Sequence, residues 1–243
     1  MIQTVAEIGS TNTALLARLA DGQAVGEGAW LVTDRQIAGR GRAGRPWFDG
    51  AGNFMGSTVA RLATGDPPAP TLALVAGVAV HRAVSVLAPN LPGLWLKWPN
   101  DLLLAAAKLG GILLERQGEA VVVGIGVNLA AAPDLPDRAS ASLRAAGVEI
   151  ARDSFADALA TQWSSALFSW HGGDWPALRD EWLACAHPIG TPLVVRDAGG
   201  QPIEGRFDGL EPEGAALLRL ADGTARAIHA GEIELVRADA AGD

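Results

Sequence analysis

The spacing of apolar residues changes character along the chain, and the elements follow from it. Residues 2–8 form a short apolar opening that predicts a strand. Ser10-Thr11-Asn12-Thr13 then precede apolar positions at helical spacing over 14–20, with Asp21-Gly22 as a stop, so a capped helix is predicted there. Residues 29–33 and 54–62 predict two neighbouring strands joined by a long glycine-rich insertion. Residues 64–70 are a proline-rich loop, and 71–87 are apolar on nearly every face, as in a buried helix. Residues 94–98 alternate and are stopped by Pro99; 102–104 predict a short strand and 105–107 a turn. Residues 109–116 and 120–129 predict a hairpin, with the unbroken run Val121-Val122-Val123 marking a central strand. After a loop over 130–146, helices are predicted at 154–170 and 175–184, the first capped by Asp153 or Ser154.

Past His187-Pro188-Ile189-Gly190 the helical period ends. Five short strands are predicted at 192–196, 203–210, 215–220, 225–229 and 233–236, with turns at 198–200, 211–214, 221–223 and 230–231. This predicts an α+β protein, with a larger domain over 1–187 and a small all-β barrel over 188–243.

Composition narrows the partners. The chain has 243 residues, 49% hydrophobic and 19% charged, with a net charge of −8, which excludes general binding to nucleic acid. Cys185 is the lone cysteine, so no internal disulfide can form and a reducing compartment is expected. The N-terminus lacks a basic region followed by an apolar stretch, and the longest apolar run, 72–80, is too short to span a bilayer. A soluble cytoplasmic protein without a membrane partner is expected.

Against this acidic background one segment stands out. Gly39-Arg40-Gly41-Arg42-Ala43-Gly44-Arg45-Pro46-Trp47, with Arg35 just before it, concentrates arginine and glycine. Glycine lets backbone approach a ligand, and the guanidinium fork fits carboxylate and phosphate, so the loop suits a small anion. Of 19 basic residues only Lys97 and Lys108 are lysine. They lie in Lys97-Trp98-Pro99-Asn100-Asp101 and Lys108-Leu109-Gly110-Gly111-Ile112-Leu113, where a compact ammonium can sit beside a reacting carboxylate. Gly124-Ile125-Gly126-Val127-Asn128 removes side chains from one face of a strand, as close approach of a ligand requires.

Other motifs are weak or missing. Residues 39–44 match G-x-G-x-x-G literally, but no helix opens after them, so a dinucleotide loop is disfavoured. There is no P-loop, no nucleophile elbow and no metal-site spacing of His and Cys. Ser10 or Thr11 reads first as a simple cap and only second as a donor to a polar ligand, while Asp101 reads equally as a turn former or a Mg²⁺ ligand. Together these groups suit an anionic substrate activated by a nucleotide.

The motifs resemble those of the biotin protein ligases. Ser10-Thr11-Asn12, residues 36–47, 97–101, 108–113 and 124–128 are similar, in order, to five family segments, and the tail is similar to the family's SH3-like C-terminal domain. The resemblance implies the biotin–lipoate ligase fold, related to class II synthetases, and a two-step reaction. Biotin and MgATP give biotinyl-5′-AMP, and a lysine of the biotin carboxyl carrier domain then takes the biotinyl group. It further implies that Ser10, Thr11, Asn12 and Gln36 hold the ureido ring and that Arg40, Gly41 and Arg42 belong to a loop ordering over carboxylate and phosphate. Lys108 would lie at the biotin carboxylate beside Gly111. Lys108 and Arg42 would be catalytic, Trp47 would cover adenine, and Asn128 and Asp101 would serve the nucleotide and Mg²⁺. Only nine residues precede Ser10, so no operator-binding domain and no repressor activity are expected. Relatives pair through the sheet edge, which leaves a homodimer open. The alternatives are a lipoate–protein ligase and a binding module without turnover.

Overall fold

The computed structural model describes residues 1–135, 138–196, 202–229 and 231–235. A mixed sheet is built from β1 (Ile2–Ile8), β2 (Trp30–Gln36), β3 (Phe54–Arg61), β4 (Leu94–Lys97), β5 (Asp101–Leu104), β6 (Ala107–Gln117) and β7 (Ala120–Val127). Its strand order is β1-β2-β3-β7-β6-β5-β4. Only β1 and β2 run parallel, joined by α1 (Thr11–Ala20), the kind of crossover parallel strands need. The predicted hairpin is β6–β7, and β7 lies at the centre.

The run Val121-Val122-Val123 is apolar throughout because β7 is covered on both faces. Val121 and Val123 belong to the main core with α2 (Leu72–Leu87), α3 (Arg152–His171) and α4 (Trp175–Cys185). Val122 faces the other way, onto a smaller cluster with Leu15 of α1, Leu31 and Val59. The most apolar helix, α2, is thus a core helix with Val75, Ala76 and Ala79 fully buried. Trp163, Trp170, Trp175 and Trp182 pack in the same core, as expected of them.

A second sheet, antiparallel, contains β8 (Pro192–Arg196), β9 (Pro202–Leu210), β10 (Ala216–Arg219), β11 (Ala225–Ile228) and β12 (Glu232–Leu235), in the order β11-β10-β9-β8-β12. This is the small β-unit read from the short strands. The expected turn at 198–200, Ala230 and Val236 lie outside the described residues.

Two local expectations are corrected. Neither Asp153 nor Ser154 caps α3; the N-cap is Ala151, without a side-chain bond. Arg152 is the first helical residue and pairs with Asp34 at 2.7 Å and Asp153 at 2.7 Å, while Asp153 lies in the first turn, where a carboxylate suits the helix dipole. The turn after β5 is confined to Ala105 and Ala106, at φ 48° and 67°, and Ala107 already belongs to β6.

Candidate functional site

Side chains alternate across a strand, so 120, 122, 124 and 126 of β7 share the α1 face. Their sizes fall from Val122 to Gly124 and Gly126, and α1, whose Leu15 packs with Val122, brings its first turn over Gly124. A Cβ added at Gly124 would lie 2.2 Å from Asn12 Oδ1, and one at Gly126 would lie 2.3 Å from Trp47 Cε2. Gly126 pairs with Gly111 across the β6–β7 ladder, which bares the floor over two strands. Above it lies a cleft of about 570 Å³ lined by the N-terminus of α1, the arginine loop, both lysines and part of β12.

At one end a hydrogen-bonded network surrounds the start of α1. Ser10 caps the helix, its Oγ accepting from Thr13 N at 3.4 Å. Thr11 N donates to Gln36 Oε1 at 2.8 Å, and Thr11 Oγ1 lies 2.6 Å from Ser57 Oγ. Ser57 Oγ donates to Asn12 Oδ1 at 2.6 Å, and Asn12 Nδ2 donates to Glu115 Oε2 at 2.9 Å. Ser10, Thr11, Asn12, Gln36 and Ser57 are all buried, so this polarity is held by mutual satisfaction. Both polar ends of Asn12 meet protein partners.

The arginine loop folds back on itself: Trp47 N donates to Gly39 O at 2.9 Å and Gly41 N to Arg45 O at 2.7 Å. The reversal uses positive φ at Ala43 (55°) and Gly44 (72°). Arg40 reaches Glu115 at 3.1 Å and Thr13 at 3.0 Å. Arg42 reaches Asn100 Oδ1 at 3.1 Å and Gly231 O at 3.4 Å. Arg35 stands outside the cleft, paired with Glu7 and Asp49.

At the opposite end Asp101 sits between the two lysines. Its Oδ1 accepts from Lys108 Nζ at 2.5 Å, and its Oδ2 lies 3.4 Å from Lys97 Nζ. Burial opposes ionisation of Asp101, but the charges of Lys108 and Lys97 outweigh it and hold the carboxyl below its usual range. Lys97 also donates to Ile233 O at 3.0 Å. The Trp47 indole lies on Gly126 and Gly111, with Lys108 Nζ 5.9 Å from the centre of its ring. Asn128 lines the cleft, but its Nδ2 donates to Ala141 O at 3.1 Å and its Oδ1 accepts from Asn53 at 3.4 Å.

The structure therefore brings Ser10, Thr11, Asn12, Gln36, Arg40, Gly41, Arg42, Trp47, Asp101, Lys108, Gly111 and Asn128 to one cleft. Sequence reading singled out the segment of Asn100 without giving that residue a role, and it missed Ser57, Glu115 and the carbonyls of Gly231 and Ile233. A buried hydroxyl and a lone acid on the site face of apolar strands were the available signals for Ser57 and Glu115. The two carbonyls carry no side-chain signal at all.

Two protein-family models match the chain. Residues 6–129 match the biotin/lipoate A/B protein ligase family, and 189–236 match the biotin protein ligase C terminal domain. The chain belongs to the biotin protein ligase family. It is 37% identical over 229 residues to the biotin–[acetyl-CoA-carboxylase] ligase of Paracoccus denitrificans, covering 88% of this chain and 92% of that one. To the ligase of the same name from Mycobacterium tuberculosis it is 34% identical over 242 residues, 97% of this chain and 89% of the relative. The Aquifex aeolicus biotin protein ligase, solved in complex with biotin and ATP, superposes with a TM-score of 0.82 at 26% identity, covering 97% of this chain and 98% of that one. In family terms the seven-stranded unit is the ligase fold, and β8–β12 fall in its C-terminal match.

Proposed function

We propose that the chain activates biotin with ATP and passes the biotinyl group to a lysine of a biotin carboxyl carrier domain. In the first step a biotin carboxylate oxygen attacks the α-phosphorus of ATP. The bond to the β-phosphate breaks and pyrophosphate leaves. In the second step the lysine ε-amine attacks the carbonyl carbon of the mixed anhydride, the bond to AMP breaks, and the nitrogen loses a proton.

The observation that carries this reading is the glycine floor of Gly111, Gly124 and Gly126 running from a neutral amide–hydroxyl network to a cluster of cations. A ureido ring has one carbonyl and two N–H groups, matching Ser10, Thr11 and Gln36, with Asn12 fixed behind them. The carboxylate end then lies toward Lys108 and Arg42. These cations offset repulsion between carboxylate and phosphate and stabilise charge on the reacting phosphoryl group. The loop 39–47 excludes water from a reactive anhydride. Trp47 forms an aromatic wall beside Lys108, and Asn128 acts through the segment it pins at Ala141. We assign 1–187 to the catalytic domain and 188–243 to the C-terminal domain.

The residues do not fit a Mg²⁺ held by the protein. Asp101 has an ammonium at each oxygen, and no group of three His, Cys, Asp or Glu residues suited to a metal occurs among the described residues. Mg²⁺ enters as part of the substrate MgATP, and Asp101 serves as counter-ion to Lys108.

The test is incubation with MgATP, a carboxyl carrier domain and labelled biotin or lipoate. Covalent label from biotin alone is expected. Label from lipoate alone would overturn the substrate assignment, and binding without label would overturn turnover. The buried network at α1 favours biotin over lipoate, which has no ureido group.

A further inference from the structure

Glu115 belongs to no motif, yet it touches two parts of the site. It lies on β6 opposite Val122, on the same face as Gly111. Its Oε2 accepts from Asn12 Nδ2 at 2.9 Å and its Oε1 from Arg40 Nη2 at 3.1 Å, with Arg40 Nη2 a longer 3.5 Å from Oε2. The first bond, the shorter of the two that Asn12 Nδ2 makes (the other is to Leu113 O at 3.4 Å), orients the network. With its amide hydrogens turned to Glu115, Asn12 must present Oδ1 to Ser57. Ser57 has one proton and gives it to that oxygen, so toward Thr11 it can only accept. Thr11 O–H then goes to Ser57, at 2.6 Å the nearer of its two acceptors, in preference to Gln36 Oε1 at 3.1 Å, and Thr11 N–H holds Gln36 Oε1. Gln36 Nε2 is then left facing the arginine loop, 3.0 Å from where a Cβ on Gly39 would stand.

The second bond fixes the start of that loop. Arg40 is anchored to Glu115 and to Thr13 of α1, while Arg42, two residues on, is turned to Asn100 at the cationic end. One carboxylate thus joins the network at the ureido end, which Leu113 O also holds, to the first cation of the covering loop, which Thr13 also holds.

We infer that Glu115 is a positioning residue that couples occupation of the ureido end to seating of the arginine loop, with Arg40 as the anchor and Arg42 as the loop's reacting-end cation. The inference rests on the biotin reading above and adds a residue to it. It acts through Arg40 and Asn12 and touches no reacting atom. Glu115→Gln separates its two bonds. The glutamine carbonyl still accepts from Asn12, but its NH₂ group turns donors toward the guanidinium, so the 3.1 Å Arg40 bond is lost and only the 3.5 Å contact on the other oxygen remains.

The experiment measures biotin-dependent ATP–pyrophosphate exchange, together with hydrogen exchange of residues 39–46 with and without biotin. Wild type, Glu115→Gln, Arg40→Gln and the double variant are compared. The expected result for Glu115→Gln is a KM for biotin raised about three- to tenfold, as for loss of one partly exposed charge-assisted bond. Its kcat should stay within about twofold of wild type because Lys108 and Arg42 are untouched. Biotin-induced protection of 39–46 should shrink in parallel. Arg40→Gln, altered at an exposed side chain, should reproduce both effects, and the double variant should be no worse than either single one. A wild-type KM and wild-type loop protection in Glu115→Gln would overturn the coupling. So would additive effects in the double variant, which would confine Glu115 to holding Asn12. Absence of biotin-dependent exchange in the wild type would overturn the underlying function as well.

Discussion

At position 126 one methyl group decides whether the cleft closes. A Cβ there would lie 2.3 Å from the Trp47 indole, a separation no side chain tolerates. Gly126→Ala is therefore expected to displace Trp47 and cut biotin-dependent exchange by about a hundredfold, since ångström-scale misplacement at a reacting centre has effects of that order. The melting temperature should change little, because the new methyl meets a loop and not the core. Gly9→Ala is the control: a Cβ there meets nothing within 4 Å, and activity should be retained. Lys108→Ala should abolish most ATP–pyrophosphate exchange, and it leaves Asp101 with only the more distant Lys97 as counter-ion. Near-normal exchange in that variant would refute the role given to its point charge. These residues were conspicuous in the sequence, since glycine at alternate strand positions and two lone lysines are local signals. Ser57 and Glu115 were not, because their partners lie 45 and 103 residues away, at Asn12.

Among the elements, α3 shows how burial and pH act on one helix. Trp163 is fully buried in its middle, and Trp163→Ala should cost about 3–5 kcal/mol in urea denaturation. At its last residue, His171 lies between Asp66 at 2.9 Å and Glu27 at 3.3 Å. Burial alone would lower the His171 pKa, but bonds to Asp66 and Glu27 outweigh it and raise it above 6.5. The folded state holds this proton more tightly than the unfolded one. The staple is thus fully present below the unfolded value and is lost as pH rises through the raised folded value. Wild type should lose stability relative to His171→Gln across that rise; parallel curves would show that the carboxylates do not hold the ring. The existence of α3 was legible from its apolar period. Its true start was not, because Ala151 offers no side-chain cap and the Asp34 that Arg152 pairs with lies far away in the sequence, on β2.

For the whole molecule, the second sheet completes the site as well as packing beside it. Lys97 donates to Ile233 O and Arg42 to Gly231 O, while Trp98 and Trp175 donate to Gly214 O and Pro212 O. His187 is buried at the junction of the two sheets, its ring 4.4 Å from that of Phe207. Burial first, and the nearby Lys97 charge second, push its pKa down to about 4. The unfolded chain takes up this proton near 6.5 and the folded chain only near 4, so stability falls as pH drops through that window. The loss approaches about 3 kcal/mol at its limit. It should vanish in His187→Phe, as followed by urea midpoints from pH 7 to 4.

The amino-acid order by itself determined the elements, the α+β class and the segments that carry chemistry, because period, turn residues and glycine placement act over a few neighbours. Only the tertiary structure decided which atoms face the cleft and which face the protein. It turned Asn12 and Asn128 toward internal partners, gave Asp101 to two lysines, drew Glu115 in and closed the site with two backbone carbonyls. Those outcomes depend on strand register and on the meeting of distant segments, where the energy of a hydrogen bond is set by burial and partner geometry that no local pattern encodes.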